Sequence, residues 1–157
     1  MDSKERLIQR VKVYTEIVKQ IASLSKSSSK KVGCVALKKD FTKIASFGYN
    51  GSYRGSPINP ETGTEEDSLE PGKSGFIHAE VNMITKFQEK NPEDYIVLLT
   101  LSPCIMCTKI LVNAGFKHIY WIEEYRETSH LSILRDSGIN YGDLDTLIHN
   151  YETNGIS

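Results

Sequence analysis

A chain of 157 residues, 39% hydrophobic and 25% charged, has the size and make-up of one soluble globular domain with a sizeable core, and 1–157 reads as a single domain. A net charge of −1 lacks the basic excess of a protein that tracks a nucleic-acid backbone, so a small-molecule partner is expected and no nucleic acid. No apolar run approaches the roughly 20 residues of a membrane span, Met1–Arg6 is not a signal peptide, and three cysteines make no disulfide framework, so the expected setting is cytoplasmic, with no membrane partner.

In chain order, residues 3–24 predict an amphipathic helix. Leu7, Val11, Tyr14, Val18 and Ile21 fall at alternating fours and threes on one stripe, and Asp2 with Glu5 resembles a capping box. Ser25–Lys31, with four serines and three lysines, is a polar connection. Val32–Leu37 and Lys43–Tyr49 predict two strands, and the polar Lys38-Lys39-Asp40 between them predicts an antiparallel hairpin. After Asn50-Gly51 a stretch rich in Gly, Pro, Ser, Thr and acids runs to Ser74. A connection of that length in a compact domain is generally functional or disordered, and it holds no Cys or His.

From Ile77 strands and helices alternate. His78–Lys90 predicts a helix with Val81, Ile84 and Phe87 inward, ended by Asn91-Pro92. Tyr95–Leu99 is a continuous apolar run, as in a strand covered on both faces. Cys104–Ala114 predicts a helix closed by Gly115, and His118–Ile122 the next strand. A helix over Thr128–Ser137, a short strand near Ile139, and a last helix capped by Asp143 complete the chain. Leu144, Leu147, Ile148 and Tyr151 form that helix's apolar side. The expected architecture is α/β, a mixed sheet of about five strands flanked by helices, with an antiparallel hairpin and later strands joined by right-handed crossovers.

The chemistry concentrates between Phe76 and Thr108. His78-Ala79-Glu80 is followed by Pro103-Cys104-Ile105-Met106-Cys107, which offers one imidazole, two thiols and a spare carboxylate. Catalytic zinc takes three protein ligands and leaves a fourth position open for water, whose pKa it lowers towards roughly 7. His78, Cys104 and Cys107 are the candidate ligands of one Zn2+, and Glu80 is the candidate proton shuttle. His78 and Glu80 are about 200° apart around a helix of 3.6 residues per turn, so they converge only at a helix's N-terminal tip. Cys104 and Cys107 share a face, and Pro103 suits a helix start. Two positive helix ends then favour thiolate and hydroxide. Read singly, the histidine is a surface residue or a cap and the Cys-x-x-Cys a redox or buried pair; the joint pattern points to zinc. Cys34 is left over, a buried free thiol in an apolar strand.

The joint pattern His-x-Glu with Pro-Cys-x-x-Cys resembles the zinc deaminases. The wider order, Val32-Gly33-Cys34-Val35, Gly48-Tyr49-Asn50-Gly51, His78-Ala79-Glu80, Leu101–Cys107 and Tyr125-Arg126, resembles the deoxycytidylate (dCMP) deaminases over residues 1–140. The resemblance implies a cytidine deaminase-like three-layer α/β/α fold. It implies hydrolysis of dCMP to dUMP and ammonia, feeding thymidylate synthesis. It further implies that Asn50 holds the nucleotide, that backbone groups at Ala79 and Ser102 pair with the pyrimidine edge, and that Tyr125 and Arg126 lie near the phosphate. A homo-oligomer is implied, a hexamer in many relatives, with regulation by dCTP together with Mg2+ and by dTTP. Ser52 and Tyr53 depart from the relatives, which often carry proline two residues past the Gly-Tyr-Asn-Gly. Some relatives carry a second, structural zinc; with Cys34 the only spare cysteine, none is expected here.

Two other readings compete. A tRNA adenosine deaminase shares Pro-Cys-x-Met-Cys but wants basic surface and stacking aromatics; a single-strand DNA deaminase meets the same charge objection. A non-catalytic zinc module would close the metal with a fourth protein ligand, and His118 or His130 stays open for that role.

Overall fold

The computed structural model describes residues 1–27, 30–54, 76–125 and 128–154. Helix α1 spans Ser3–Ala22, and the Oδ1 of Asp2 caps it by accepting the Glu5 N–H at 2.7 Å. Strands β1 (Gly33–Lys38) and β2 (Ile44–Tyr49) form the expected antiparallel hairpin. Helix α2 spans Ala79–Lys86, strand β3 Tyr95–Leu101, helix α3 Ile105–Ala114 and strand β4 His118–Glu123. Helix α4 (His130–Asp136), strand β5 (Asn140–Asp143) and helix α5 (Leu144–Asn154) follow. Among these residues no helix is long and apolar enough to cross a membrane.

The sheet order is β2-β1-β3-β4-β5. β1 pairs antiparallel with β3, whereas β3–β4 and β4–β5 are parallel. Strand side chains alternate between faces, and here both faces are covered. Val35, Leu37, Ile96, Leu98 and Tyr120 point to the face where Val11 and Val18 of α1 and Leu147 of α5 pack. Cys34, Ala36, Val97, Leu99, Ile119 and Trp121 point to the other, under Ala79 and Met83 of α2, Leu111 of α3 and Leu134 of α4. The result is a three-layer α/β/α fold. Each fully buried Leu, Ile or Val contributes about 1.5–3 kcal/mol relative to exposure, which explains why the middle strands lack polar alternation.

Helix α2 is shorter than its sequence pattern. Phe87 leaves the helix with extended backbone (φ −77°, ψ 118°). Its ring then meets Tyr95 edge-on at 5.2 Å and Phe116 at 5.1 Å, contacts that continued helix would forgo. Pro92 opens a one-turn 3-10 helix, Pro92–Asp94, that leads into β3. The last helix begins as anticipated, with Asp143 Oδ1 accepting the Thr146 N–H at 2.9 Å.

Candidate active site

Both halves of the expected metal site are helix N-caps. His78 precedes α2 in extended backbone (φ −66°, ψ 154°), and Cys104 precedes α3 likewise (φ −69°, ψ 169°). Standing outside the helix frees His78 from the 100° step per residue, and this resolves the apparent conflict with Glu80 in the first turn of α2. β3 ends at Leu101, so Ser102 and Pro103 carry the chain from the sheet's rim to Cys104. The Cys104 Sγ accepts the Cys107 N–H at 3.5 Å. Both helices present positive ends to the site, which favours anionic ligands there.

His78 Nδ1 lies 3.4 Å from Cys107 Sγ and 3.7 Å from Cys104 Sγ. All three donor atoms lie within 4.8 Å of one another. Tetrahedral zinc with Zn–S near 2.3 Å and Zn–N near 2.0–2.1 Å sets nitrogen and sulfur about 3.6 Å apart. The observed separations bracket that value, so the residues fit the ion. The hydrogen bond from Cys107, helped by His78 and opposed by burial, holds the Cys104 thiol well below its usual range. The same bond and burial raise the Cys107 thiol. Two sulfurs and a ring nitrogen converged this closely are a donor set that suits zinc.

Glu80 is 4% exposed, and burial pushes its carboxyl from the ordinary 4.5 to about 7. A general acid–base works best with a pKa near the operating pH. Cys34 lies fully buried in β1, its thiol held protonated by burial and then by the charge of Glu80.

A pocket opens on this cluster, lined by Val32, Asn50, His78, Ala79, Glu80, Leu101, Ser102, Cys104 and Tyr125. The structure thus brings together every predicted site residue it describes: all but Cys107 line the pocket, and the Cys107 Sγ lies 3.4 Å from His78 Nδ1. Arg126 lies outside the described residues. Asn50 is buried, its Oδ1 accepting the Val32 N–H at 2.8 Å and its Nδ2 donating to the Lys30 carbonyl at 2.8 Å. One amide N–H and one oxygen lone pair remain beyond those two bonds. Ser102 donates its N–H to the Glu123 carbonyl at 2.9 Å, and its Oγ accepts the Tyr125 N–H at 2.6 Å. Those bonds tie Tyr125 to the β3 rim. Ala79 holds the first position of α2, where helix geometry supplies no acceptor for its N–H. Val32 and Leu101 were not anticipated as walls; the only hint is that each stands at a strand's end next to a motif.

Neither His118 nor His130 joins the metal group. His118 opens β4 with its Nδ1 3.2 Å from Asn140 Nδ2, and the buried His130 sits edge-on to Trp121 at 5.4 Å. Among the described residues the group comprises His78, Cys104 and Cys107.

Residues 8–123 match the family described as the cytidine and deoxycytidylate deaminase zinc-binding region. The chain is 32% identical over 114 residues to a probable deoxycytidylate deaminase of Caenorhabditis elegans, covering 73% of this chain and 57% of that one. It is 27% identical over 117 residues to the deoxycytidylate deaminase of Mus musculus, covering 73% and 65%. It therefore spans about three-fifths of the length of these curated relatives. The dCMP deaminase of cyanophage S-TIM5, solved with dCMP and dUMP, superposes with a TM-score of 0.72 at 25% identity, covering 92% of this chain and 99% of that one. Acinetobacter baumannii RibD, at 18% identity and a TM-score of 0.61 over 90% of this chain and 37% of that one, shares the fold.

Proposed function

This chain belongs to the cytidine and deoxycytidylate deaminase zinc-binding family, and from that premise we propose that it hydrolyses dCMP to dUMP and ammonia, supplying dUMP for thymidylate synthesis. The observation that carries the reading is the buried Glu80 beside the converged His78, Cys104 and Cys107. A structural zinc site would want a fourth protein ligand, whereas among the described residues the metal group holds three, with the buried Glu80 carboxyl beside it. The likeness to a dCMP deaminase solved with dCMP and dUMP supports the choice of nucleotide.

His78, Cys104 and Cys107 hold the zinc. When bound, zinc acidifies water at its open position towards a pKa of roughly 7. Glu80 takes a proton from the water that attacks C4 of the pyrimidine and passes it to N3. It then takes the second water proton and delivers it to the amino group as the C4–N bond breaks, so that ammonia leaves and a carbonyl remains. Asn50 holds the sugar or base with its spare N–H and lone pair. Backbone groups at Ala79 and Ser102 orient the pyrimidine edge: the Ala79 N–H points from the first turn, and the Ser102 N–H, already given to Glu123, leaves its carbonyl for the task. Tyr125 closes the pocket wall, and we assign the phosphate to Tyr125 and Arg126, a guanidinium fork being suited to that group.

We further propose one catalytic zinc per chain, a single deaminase domain over 1–157, a homo-oligomer of hexameric type, Mg2+ accompanying an allosteric nucleotide, and a cytoplasmic setting. The test is turnover of dCMP against cytidine, deoxycytidine and a tRNA anticodon stem, followed by ultraviolet absorbance. The reading expects dCMP to be preferred over all three. Faster turnover of either nucleoside removes the phosphate from recognition, and turnover of the tRNA stem alone overturns the substrate class.

A further inference from the structure

The zinc ligand His78 and the nucleotide-holding Asn50 sit on different segments, one before α2 and the other just past β2. A single side chain reaches both segments. Asn82, one turn into α2, donates from Nδ2 to the Tyr49 carbonyl at 2.8 Å, directly before Asn50. The same nitrogen lies 3.5 Å from the Ile77 carbonyl, directly before His78. Its backbone N–H meanwhile donates to the carbonyl of His78 itself at 3.1 Å. Between these points Gly51 and Ile77 exchange a pair of backbone bonds, Gly51 N to Ile77 O at 3.1 Å and Ile77 N to Gly51 O at 2.8 Å.

The surroundings leave α2 little freedom to compensate. β2 is the sheet's edge strand, so its outer side has no further strand to brace it. The helix lies flush on it: a Cβ at Gly48 would fall 2.4 Å from the Ala79 carbonyl oxygen and 2.5 Å from the Met83 nitrogen. At the far side, Ser46 Oγ donates to the Met83 carbonyl at 2.6 Å. Contact and one hydroxyl fix the height of the helix over the strand. The Asn82 amide fixes where its N-terminal tip points.

We propose that Asn82 is a positioning residue that sets His78 for the metal and Asn50 for the nucleotide through one amide, an inference that rests on the zinc and dCMP reading above. Groups bonded directly to a ligand's side chain typically change metal affinity by 10–100-fold when lost; Asn82 acts one step further out, on the backbone that carries His78, so the lower end of that range, about tenfold, is expected. The amide matters rather than the volume, because the Tyr49 carbonyl accepts from it at 2.8 Å and only a side-chain donor keeps that bond.

The experiment compares Asn82→Leu and Asn82→Asp with Thr85→Ala, a change one turn further along the same helix. Zinc affinity is measured without substrate, by competition with a chromophoric chelator, and KM for dCMP is measured on the zinc-loaded forms. Both Asn82 variants are expected to lose zinc affinity about tenfold and to raise KM, while Thr85→Ala changes neither. Zinc affinity within threefold of the parent in Asn82→Leu, or an equal loss in Thr85→Ala, overturns the assignment. If both Asn82 variants are unfolded by circular dichroism, the amide serves the fold as a whole and the assignment is also overturned. Because the chelator measurement needs no nucleotide, failure of the parent to deaminate dCMP would strike the substrate reading alone.

Discussion

The Oδ1 of Asn50 accepts the backbone N–H of Val32 at 2.8 Å, so the amide that faces the pocket is itself held by the chain entering β1. With Nδ2 engaged by the Lys30 carbonyl, Asn50 is both a wall of the site and a clasp between two segments. Asn50→Ala strands a buried N–H, at a cost of about 1–3 kcal/mol. Urea unfolding should record that loss, with a raised KM for dCMP in the same variant. Asn50→Asp keeps the acceptor and is expected to fall between. Stability unchanged within error in Asn50→Ala would contradict the clasp.

Two glycines of the Gly-Tyr-Asn-Gly run are expected to differ sharply. At Gly48 an added methyl would meet α2 backbone at 2.4 and 2.5 Å, whereas at Gly51 its nearest neighbour is the Tyr49 ring at 3.8 Å. Overpacking of the first kind costs about 1–3 kcal/mol or more and lifts the helix that carries His78 and Glu80. Gly48→Ala should lower both melting temperature and bound zinc; Gly51→Ala should leave both near the parent values. Differential scanning fluorimetry with elemental analysis checks the pair.

His118 supplies an acid-side signature. Burial, and then Lys39, lower its pKa from 6.5 to about 4, and Asn140 Nδ2 faces its Nδ1 as a donor that suits only the neutral ring. The unfolded chain therefore takes up this proton below about pH 6.5, and the folded chain only near 4. The stability it contributes is complete above about 6.5 and lost as pH falls towards 4, with a slope of at most about 1.4 kcal/mol per pH unit for one proton. His118→Gln should flatten the parent's stability curve across that window in urea titrations. An identical slope in the two proteins would show that His118 is not the group responsible.

The donor set makes a plain statement about metal content. With the three ligand atoms converged, purified protein should carry close to one zinc equivalent, and Cys104→Ala should lose it. A content near two, or zinc retained in that variant, would contradict the assigned ligands.

How much of this was legible in advance differs residue by residue. The convergence of His78, Cys104 and Cys107 with Glu80 beside them was readable because residue type and spacing are local, and the angular conflict between His78 and Glu80 already pointed to a helix tip. The strands were readable because burial on both faces leaves continuous apolar runs such as Tyr95–Leu99 within β3. The end of α2 was not: Phe87 departs from the helix for rings at positions 95 and 116, which no local pattern reports. Nor was the double duty of Asn50, since its partners at Lys30 and Val32 come near only once the β1–β2 register is set. Asn82 was passed over for a similar reason, its partners lying across the gap between edge strand and helix.

The most direct measurement is turnover of dCMP by Glu80→Gln with zinc content determined on the same sample. Glu80 lies buried at the pocket's base with its carboxyl near neutrality, and positioned proton transfer contributes roughly 10²–10⁴-fold. Glu80→Gln is expected to fold, to carry about one zinc per chain and to turn over dCMP at least about a hundredfold more slowly. Turnover within tenfold of the parent, with zinc in place, would contradict the role assigned to Glu80.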